Sequence, residues 1–127
     1  MTRFRNDLAR VRGLGAAKEG VQHWWLQRVT AILLVPLAIW FLVELVAHVG
    51  AGHREVVRWL DDPIPLAGFL LLLGAGFWHL ALGLQVVIED YVHREGLKIA
   101  LILLAKFGCL ALALAGILSL FYIAFGR

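Results

Sequence analysis

Cysteine is almost absent from this sequence, which has only Cys109 among its 127 residues. A single thiol can form neither a disulfide nor a multi-thiolate metal site within one chain, so both frameworks are excluded. Because Cys109 lies within an apolar run, we expect it to be a small buried residue. The composition therefore leaves the redox compartment open.

Charged residues are also scarce, at 17% of the chain, whereas hydrophobic residues make up 61%. A soluble domain is usually about 45–50% apolar. The excess comes from long stretches without charge, which are typical of a membrane protein. The length suits a single domain over residues 1–127, with no room for a separate soluble catalytic domain.

Three apolar runs cover about residues 29–49, 65–88 and 99–125. A helix of roughly 20 residues crosses about 30 Å of hydrocarbon, and each run is about that long or longer. Lipid offers the backbone no hydrogen-bond partner, so each run should be a helix. The sequence therefore predicts an all-α membrane protein with three transmembrane helices. The first run is too long for a signal-peptide core, and we expect it to be retained.

Basic residues are concentrated before the first apolar run, at Arg3, Arg5, Arg10, Arg12, Lys18 and Arg28. Such a segment can bind nucleic acid, contact lipid headgroups or set the topology, but nothing else in the chain resembles a nucleic-acid-binding module. We interpret it as a topology signal, together with Arg94 and Lys98 between the second and third runs. The predicted orientation places the N-terminus inside and the C-terminus outside.

The remaining features are typical of a helical membrane protein. The linker at residues 50–64 contains REVVRWL, which predicts a short amphipathic turn on the membrane surface. Aromatic residues near the predicted interfaces indicate an aromatic belt: Trp24, Trp25, Trp59 and Tyr91. Small residues mark positions where helices can approach closely: Gly74, Gly76, Gly108, Ala111, Ala115 and Gly116.

His79 lies near the middle of the second apolar run. An ionisable group at that depth is costly unless it is paired, so it is a functional candidate. One interpretation is a hydrogen bond to a neighbouring helix. The other is a metal ligand, because Gly76 and Gly83 share its helix face and predict a flat surface beside it that suits a porphyrin.

A haem with two axial ligands would need its second ligand from another chain. The other histidines lie near the predicted interfaces, with His48 and His53 at one side and His23 and His93 at the other. This arrangement predicts a hetero-oligomer with the haem between subunits, in which His79 binds the iron.

Asp90 and Tyr91 follow His79 at the predicted inner surface, roughly 16–18 Å along the helix axis. A phenol there can donate a hydrogen bond to a carbonyl oxygen that arrives from the lipid. A neighbouring carboxylate can orient the phenol or accept protons. The alternative is an interfacial tyrosine beside a solvated aspartate.

Two motifs together resemble a known family. The pattern H-x3-G-x6-D-Y, formed by His79, Gly83, Asp90 and Tyr91, resembles the second helix of the small D-type membrane-anchor subunit of succinate dehydrogenase, respiratory complex II. Residues 13–37, GLGAAKEGVQHWWLQRVTAILLVPL, resemble the segment that leads into its first helix. The residues that carry this second likeness are Trp25, Arg28, Thr30, Ala31 and Pro36. The resemblance covers nearly the whole chain and is alphaproteobacterial in style.

The resemblance implies a role for each matching residue. His79 matches the axial ligand of haem b, and Tyr91 matches the tyrosine that binds a ubiquinone carbonyl. Asp90 matches the carboxylate beside that tyrosine. Arg28 matches an arginine near the haem propionates and the quinone pocket, although a snorkelling interface anchor is an equal alternative for it.

The implied function is that of an anchor subunit in the inner (cytoplasmic) membrane. It would share haem b with a second membrane-anchor cytochrome b subunit and form part of a ubiquinone-reduction site. FAD and iron–sulfur clusters would belong to flavoprotein and iron–sulfur partner subunits, so this chain would not be an enzyme alone. The alternatives are an anchor of another quinone-linked oxidoreductase, such as fumarate reductase, or a non-redox scaffold or transport protein. We assign no role to His23, Glu44 or Lys106.

Overall fold

The computed structural model describes residues 17–126, and it describes side chains from residue 20 onwards. This part of the chain forms four helices and contains no strand. The helices are α1 (Ala17–Ala47), α2 (His53–Asp61), α3 (Pro63–Tyr91) and α4 (Glu95–Phe125). The basic positions at Arg3, Arg5, Arg10 and Arg12 lie outside the described residues, as does the side chain of Lys18.

Three helices are long and apolar enough to cross a membrane: Gly20–Ala47 within α1, and the whole of α3 and α4. The predicted all-α fold with three transmembrane helices is confirmed. Helix α1 begins at Ala17, well before the apolar run that opens near Val29. The apolar run marks only the part of a helix that can lie in hydrocarbon, whereas polar residues such as Gln22 extend the same helix beyond it.

Short connections reverse the chain between the helices. Gly50 follows α1 with a φ of 85°, a left-handed conformation that favours glycine. Asp62 separates α2 from α3, and its side chain accepts a hydrogen bond from the Ile64 backbone N–H. Pro63 then occupies the first position of α3, where its missing N–H costs nothing. Only residues 92–94 lie between α3 and α4.

Helix α3 is the centre of the arrangement. It packs against α1 on one side and α4 on the other, whereas α1 and α4 do not touch each other within residues 17–126. The short α2 packs across α3 and α4 at one end, where Leu60, Leu66, Leu120 and Ala124 form a small core. We call this the α2 end of the molecule and the opposite end, where α3 finishes, the Tyr91 end.

Aromatic rings join α1, α2 and α3 at the α2 end. Phe69 of α3 contacts three rings edge-on, with centroid distances of 5.5 Å to Trp40, 5.8 Å to Phe41 and 5.2 Å to Trp59. Trp59 also stacks on His48 at 4.1 Å. The predicted amphipathic turn is therefore a nine-residue helix whose tryptophan is held by these rings.

Small residues do serve close packing, but at a different set of positions from the predicted one. A Cβ atom at Gly68 would lie 2.5 Å from the Trp40 ring, and one at Gly116 would lie 3.1 Å from Leu73. By contrast, a Cβ atom at Gly74 or Gly108 would meet no side chain of another helix within 4 Å among the described residues. The prediction holds for Gly116 and is wrong for Gly74 and Gly108 within this chain, because neither faces another of its helices closely.

Cys109 is buried, with 6% of its surface exposed, as its place in an apolar run predicted. It lies in α4. It is therefore part of the packing of that helix.

Candidate functional site

His79 lies in α3 and faces α1. Its ring is half-buried, and its Nδ1 atom lies 2.9 Å from the Thr30 hydroxyl oxygen of α1. One of the two interpretations from the sequence was a histidine hydrogen-bonded to a neighbouring helix. That interpretation is correct for Nδ1. Its Nε2 atom has no hydrogen-bond partner within the described part of the chain.

The carbonyl groups around Thr30 favour His79 as the donor in this pair. Its Oγ1 atom lies 2.7 Å from the Leu26 carbonyl oxygen and 3.1 Å from that of Gln27. A threonine in a helix usually donates its hydroxyl proton to a carbonyl of the preceding turn, and the nearer carbonyl here is that of Leu26. Thr30 Oγ1 then accepts a hydrogen bond from the His79 Nδ1–H. In that tautomer, Nε2 carries a free lone pair, which is the form that binds metals.

The glycine face beside His79 is less open than predicted. A Cβ at Gly83 would lie 3.5 Å from Gln27 Nε2, and one at Gly76 would lie 3.9 Å from Leu34. These are ordinary contact distances, so side chains of α1 cover part of the surface that was predicted to be flat and free. The two glycines let α1 and α3 approach around the histidine.

A polar stripe on α1 leads toward His79. His23, Gln27 and Thr30 are spaced by four and three residues and therefore share one helix face. His23 Nε2 and Gln27 Oε1 are buried without a hydrogen-bond partner in the described part of the chain. His23, to which the sequence assigned no role, thus belongs to the same face of α1 as the partner of His79.

Asp90 and Tyr91 lie at the last turn of α3 and are both exposed, with 78% of Tyr91 accessible. Twelve residues separate Tyr91 from His79, or roughly 18 Å along the helix axis. The structure does not bring these groups into contact with His79. A neighbouring pair is formed instead by Gln85, whose Nε2 donates to Glu89 Oε1 at 2.7 Å.

Arg28 lies on a different face of α1 from the Thr30–His79 pair. Two residues correspond to roughly 200° around a helix, so Arg28 and Thr30 point in nearly opposite directions. The guanidinium carbon lies 5.1 Å from the centre of the Trp24 ring, an exposed cation–π contact. The structure therefore separates Arg28 from the His79 ring, and this contact supports the alternative of an interface anchor.

The α2 end carries two other groups of ionisable side chains. His48 Nδ1 lies 2.8 Å from the Glu44 backbone carbonyl oxygen and 3.7 Å from Glu44 Oε2. On α2, a shallow depression is lined by His53, Arg54, Val57 and Arg58. The sequence analysis did not single out this basic surface.

Among the described residues, no three or more His, Cys, Asp or Glu side chains come together to hold a metal ion. Any iron at His79 would therefore need porphyrin nitrogens and ligands from outside this chain. With the proton on Nδ1, the Nε2 lone pair of His79 would be able to bind the iron of such a group.

Comparison with known proteins identifies the family. The family described as succinate dehydrogenase/fumarate reductase transmembrane subunit matches residues 2–122. This chain belongs to that family. The match spans α1, α2, α3 and most of α4, so it includes both His79 and Tyr91.

Similar curated proteins carry the name of one branch of the family. A succinate dehydrogenase hydrophobic membrane anchor subunit from Rickettsia bellii (strain RML369-C) is 35% identical over 94% of this chain and 95% of its own. Its counterpart from Paracoccus denitrificans is 30% identical over 81% and 80%, respectively. A succinate dehydrogenase membrane anchor subunit from Reclinomonas americana is 34% identical over 70% and 77%. No solved structure matches the chain.

Proposed function

We propose that this chain anchors a succinate dehydrogenase in the inner membrane as a single domain of three transmembrane helices. Its family, its three candidate spans and the names of its relatives support this proposal. The flavin and the iron–sulfur clusters would be bound by two other subunits. This chain would supply binding surfaces for the electron acceptor and for a shared haem.

His79 would provide one axial ligand of haem b through Nε2, and a second membrane-anchor subunit would provide the other. The observation that carries this assignment is the 2.9 Å distance between His79 Nδ1 and Thr30 Oγ1. When Nδ1 donates in this contact, the Nε2 lone pair is available to a metal. Haem b, when bound, accepts and returns single electrons. The apolar side chains around His79 would exclude water and so help to set its potential.

Tyr91 would donate a hydrogen bond from its phenol to a carbonyl oxygen of ubiquinone. The phenol is exposed at the end of α3, where a substrate dissolved in the lipid can reach it. Asp90 would orient the phenol or pass protons from the inner aqueous side. Because both side chains are exposed in this chain, partner subunits would complete the walls of the pocket.

Arg28 would contribute charge near the haem propionates or the quinone pocket. Since it points away from the Thr30–His79 pair, it would reach such a group only on the outer side of α1. That placement requires the second anchor subunit to pack there.

Two other functions remain as alternatives of unequal support. A fumarate reductase anchor would belong to the same family, but the relatives named above are succinate dehydrogenase anchors. A scaffold or transporter without a redox cofactor has no support from the family match.

The test of the haem assignment is His79→Ala in the complete complex. We expect the reduced-minus-oxidised absorbance of haem b to be lost while the subunits still purify together. His53→Ala is the matched control, because His53 is exposed on α2 at the other end of the molecule. A full haem b signal in the His79→Ala complex would refute the assignment.

A further inference from the structure

The Thr30 hydroxyl is the polar group that meets His79 between α1 and α3. We propose that Thr30 is a positioning residue that fixes the tautomer and ring orientation of His79. This inference rests on the proposed function, in which Nε2 of the same ring binds iron. The structure shows Thr30 Oγ1 at 2.9 Å from His79 Nδ1.

The hydroxyl can act as an acceptor toward His79 when it donates its own proton to the preceding helical turn. Thr30 Oγ1 lies 2.7 Å from the Leu26 carbonyl oxygen, the usual bond of a threonine to the preceding helical turn. The β-branched side chain has few allowed rotamers, and the bond to the Leu26 carbonyl selects the one seen here. Its free lone pairs then face the His79 Nδ1–H.

Thr30 does not need His79 to satisfy its own hydroxyl. Ser119 of α4 makes the same bond, from Oγ to the Ala115 carbonyl at 2.7 Å, and it is exposed with no second partner among residues 20–126. His79, by contrast, has no other hydrogen-bond partner within the described part of the chain. The pair therefore serves the histidine, and the hydroxyl defines which ring nitrogen is left free.

This geometry has a chemical consequence for a ligand histidine. A hydrogen bond donated by the Nδ1–H makes Nε2, the coordinating nitrogen, a better electron donor, and it fixes the orientation of the ring. Stronger donation favours the oxidised iron. Loss of the Thr30 hydroxyl should therefore raise the haem midpoint potential and weaken haem retention by about 10- to 100-fold, the range typical of such supporting bonds.

The test compares Thr30→Val with Thr30→Ser in the complete complex. Valine has nearly the shape of threonine without the hydroxyl, whereas serine retains the hydroxyl. We expect Thr30→Val to raise the midpoint potential, shift the EPR g-values of the oxidised haem and release haem more readily. Thr30→Ser, which keeps a hydroxyl, should have values of all three properties close to those of the unaltered complex.

Ser119→Ala is the matched control, because it removes a similar hydroxyl that faces no histidine, and all three properties should stay unchanged. If Thr30→Val impairs assembly, Thr30→Ala removes the same hydroxyl with less bulk. Unaltered potential, g-values and haem retention in the hydroxyl-free variant would overturn the positioning role. His79→Ala separates the two proposals: haem retained in that variant refutes the ligand assignment itself.

Discussion

At the scale of single residues, the ionisable groups deep in the apolar runs can be followed through their contacts. Burial of an unpaired polar group costs up to several kcal/mol in hydrocarbon. Near the α2 end, His48 Nδ1 pairs with the Glu44 backbone carbonyl, and Thr30 pairs with one nitrogen of His79. The other nitrogen of His79 is the group whose chemistry is left available.

The phenol of Tyr91 leads to a prediction about turnover. If it donates a hydrogen bond to the quinone carbonyl, Tyr91→Phe removes an interaction worth roughly 1–1.5 kcal/mol. We expect succinate:quinone reductase activity of the complex to fall by about tenfold, with the haem absorbance retained. Steady-state kinetics with a soluble ubiquinone analogue measure this fall.

Tyr122→Phe is the natural control for that experiment. Tyr122 is 76% exposed, almost as much as Tyr91 at 78%, but it lies in the last turn of α4, at the α2 end of the molecule. Its loss should leave turnover unchanged. Equal activities of the two variants would remove Tyr91 from the quinone site.

At the scale of helices, the interface between α1 and α3 has two chemically different halves. Toward the Tyr91 end it contains the polar stripe of His23, Gln27 and Thr30, and toward the α2 end it contains Trp40 and Phe69. The aromatic half holds the helices together by packing. The polar half can then keep the Thr30–His79 distance constant.

Gly68 is the position where this packing is most sensitive to volume. A methyl group there would lie 2.5 Å from the Trp40 ring, so the ring or the helices must move. Overpacking of this kind typically costs about 1–3 kcal/mol. We expect Gly68→Ala to lower the thermal stability of the complex. The measurement is the temperature at which the complex loses its haem absorbance and its solubility.

Gly74→Ala provides the comparison within the same helix. No atom of another described helix lies within 4 Å of the added methyl group. Alanine also favours a helix more than glycine does. Its complex should be as stable as the unaltered one or slightly more stable. A Gly68→Ala complex as stable as that of Gly74→Ala would contradict the Trp40 contact.

The sequence predicted the helices better than their ends and contacts. Length and lack of charge suffice to identify a transmembrane run, because hydrocarbon has a known thickness. They do not show that α1 begins at Ala17, since residues outside the hydrocarbon have no apolar pattern. They also do not reveal Gly68, because its importance depends on a tryptophan from another helix.

In the candidate site too, the sequence predicted individual residues better than the contacts between them. Depth in an apolar run was enough to single out His79, but its hydroxyl partner depends on which faces of α1 and α3 meet. Thr30 stood out in the sequence only through a family resemblance. Tyr91 and Asp90 were predicted from their position, and their exposure indicates surfaces that another subunit would have to cover.

At the scale of the whole molecule, α3 is the only membrane-crossing helix that contacts both others in the described part of the chain. This open arrangement leaves broad apolar faces on α1 and α4, on residues such as Ile32, Val46 and Leu104. The open form suits a subunit whose remaining surface is shared between lipid and another membrane subunit.

The orientation of this molecule can be tested with single cysteines. Cys109→Ala removes the native thiol, and cysteines are then placed at His53 in α2 and at His93 between α3 and α4, both exposed positions at opposite ends. With the N-terminus inside, as the basic segment predicts, a membrane-impermeant maleimide should label His53→Cys in right-side-out vesicles and His93→Cys only in inverted ones. The reverse pattern would place Asp90 and Tyr91 outside, where protons from the inner aqueous side could not reach the proposed quinone site.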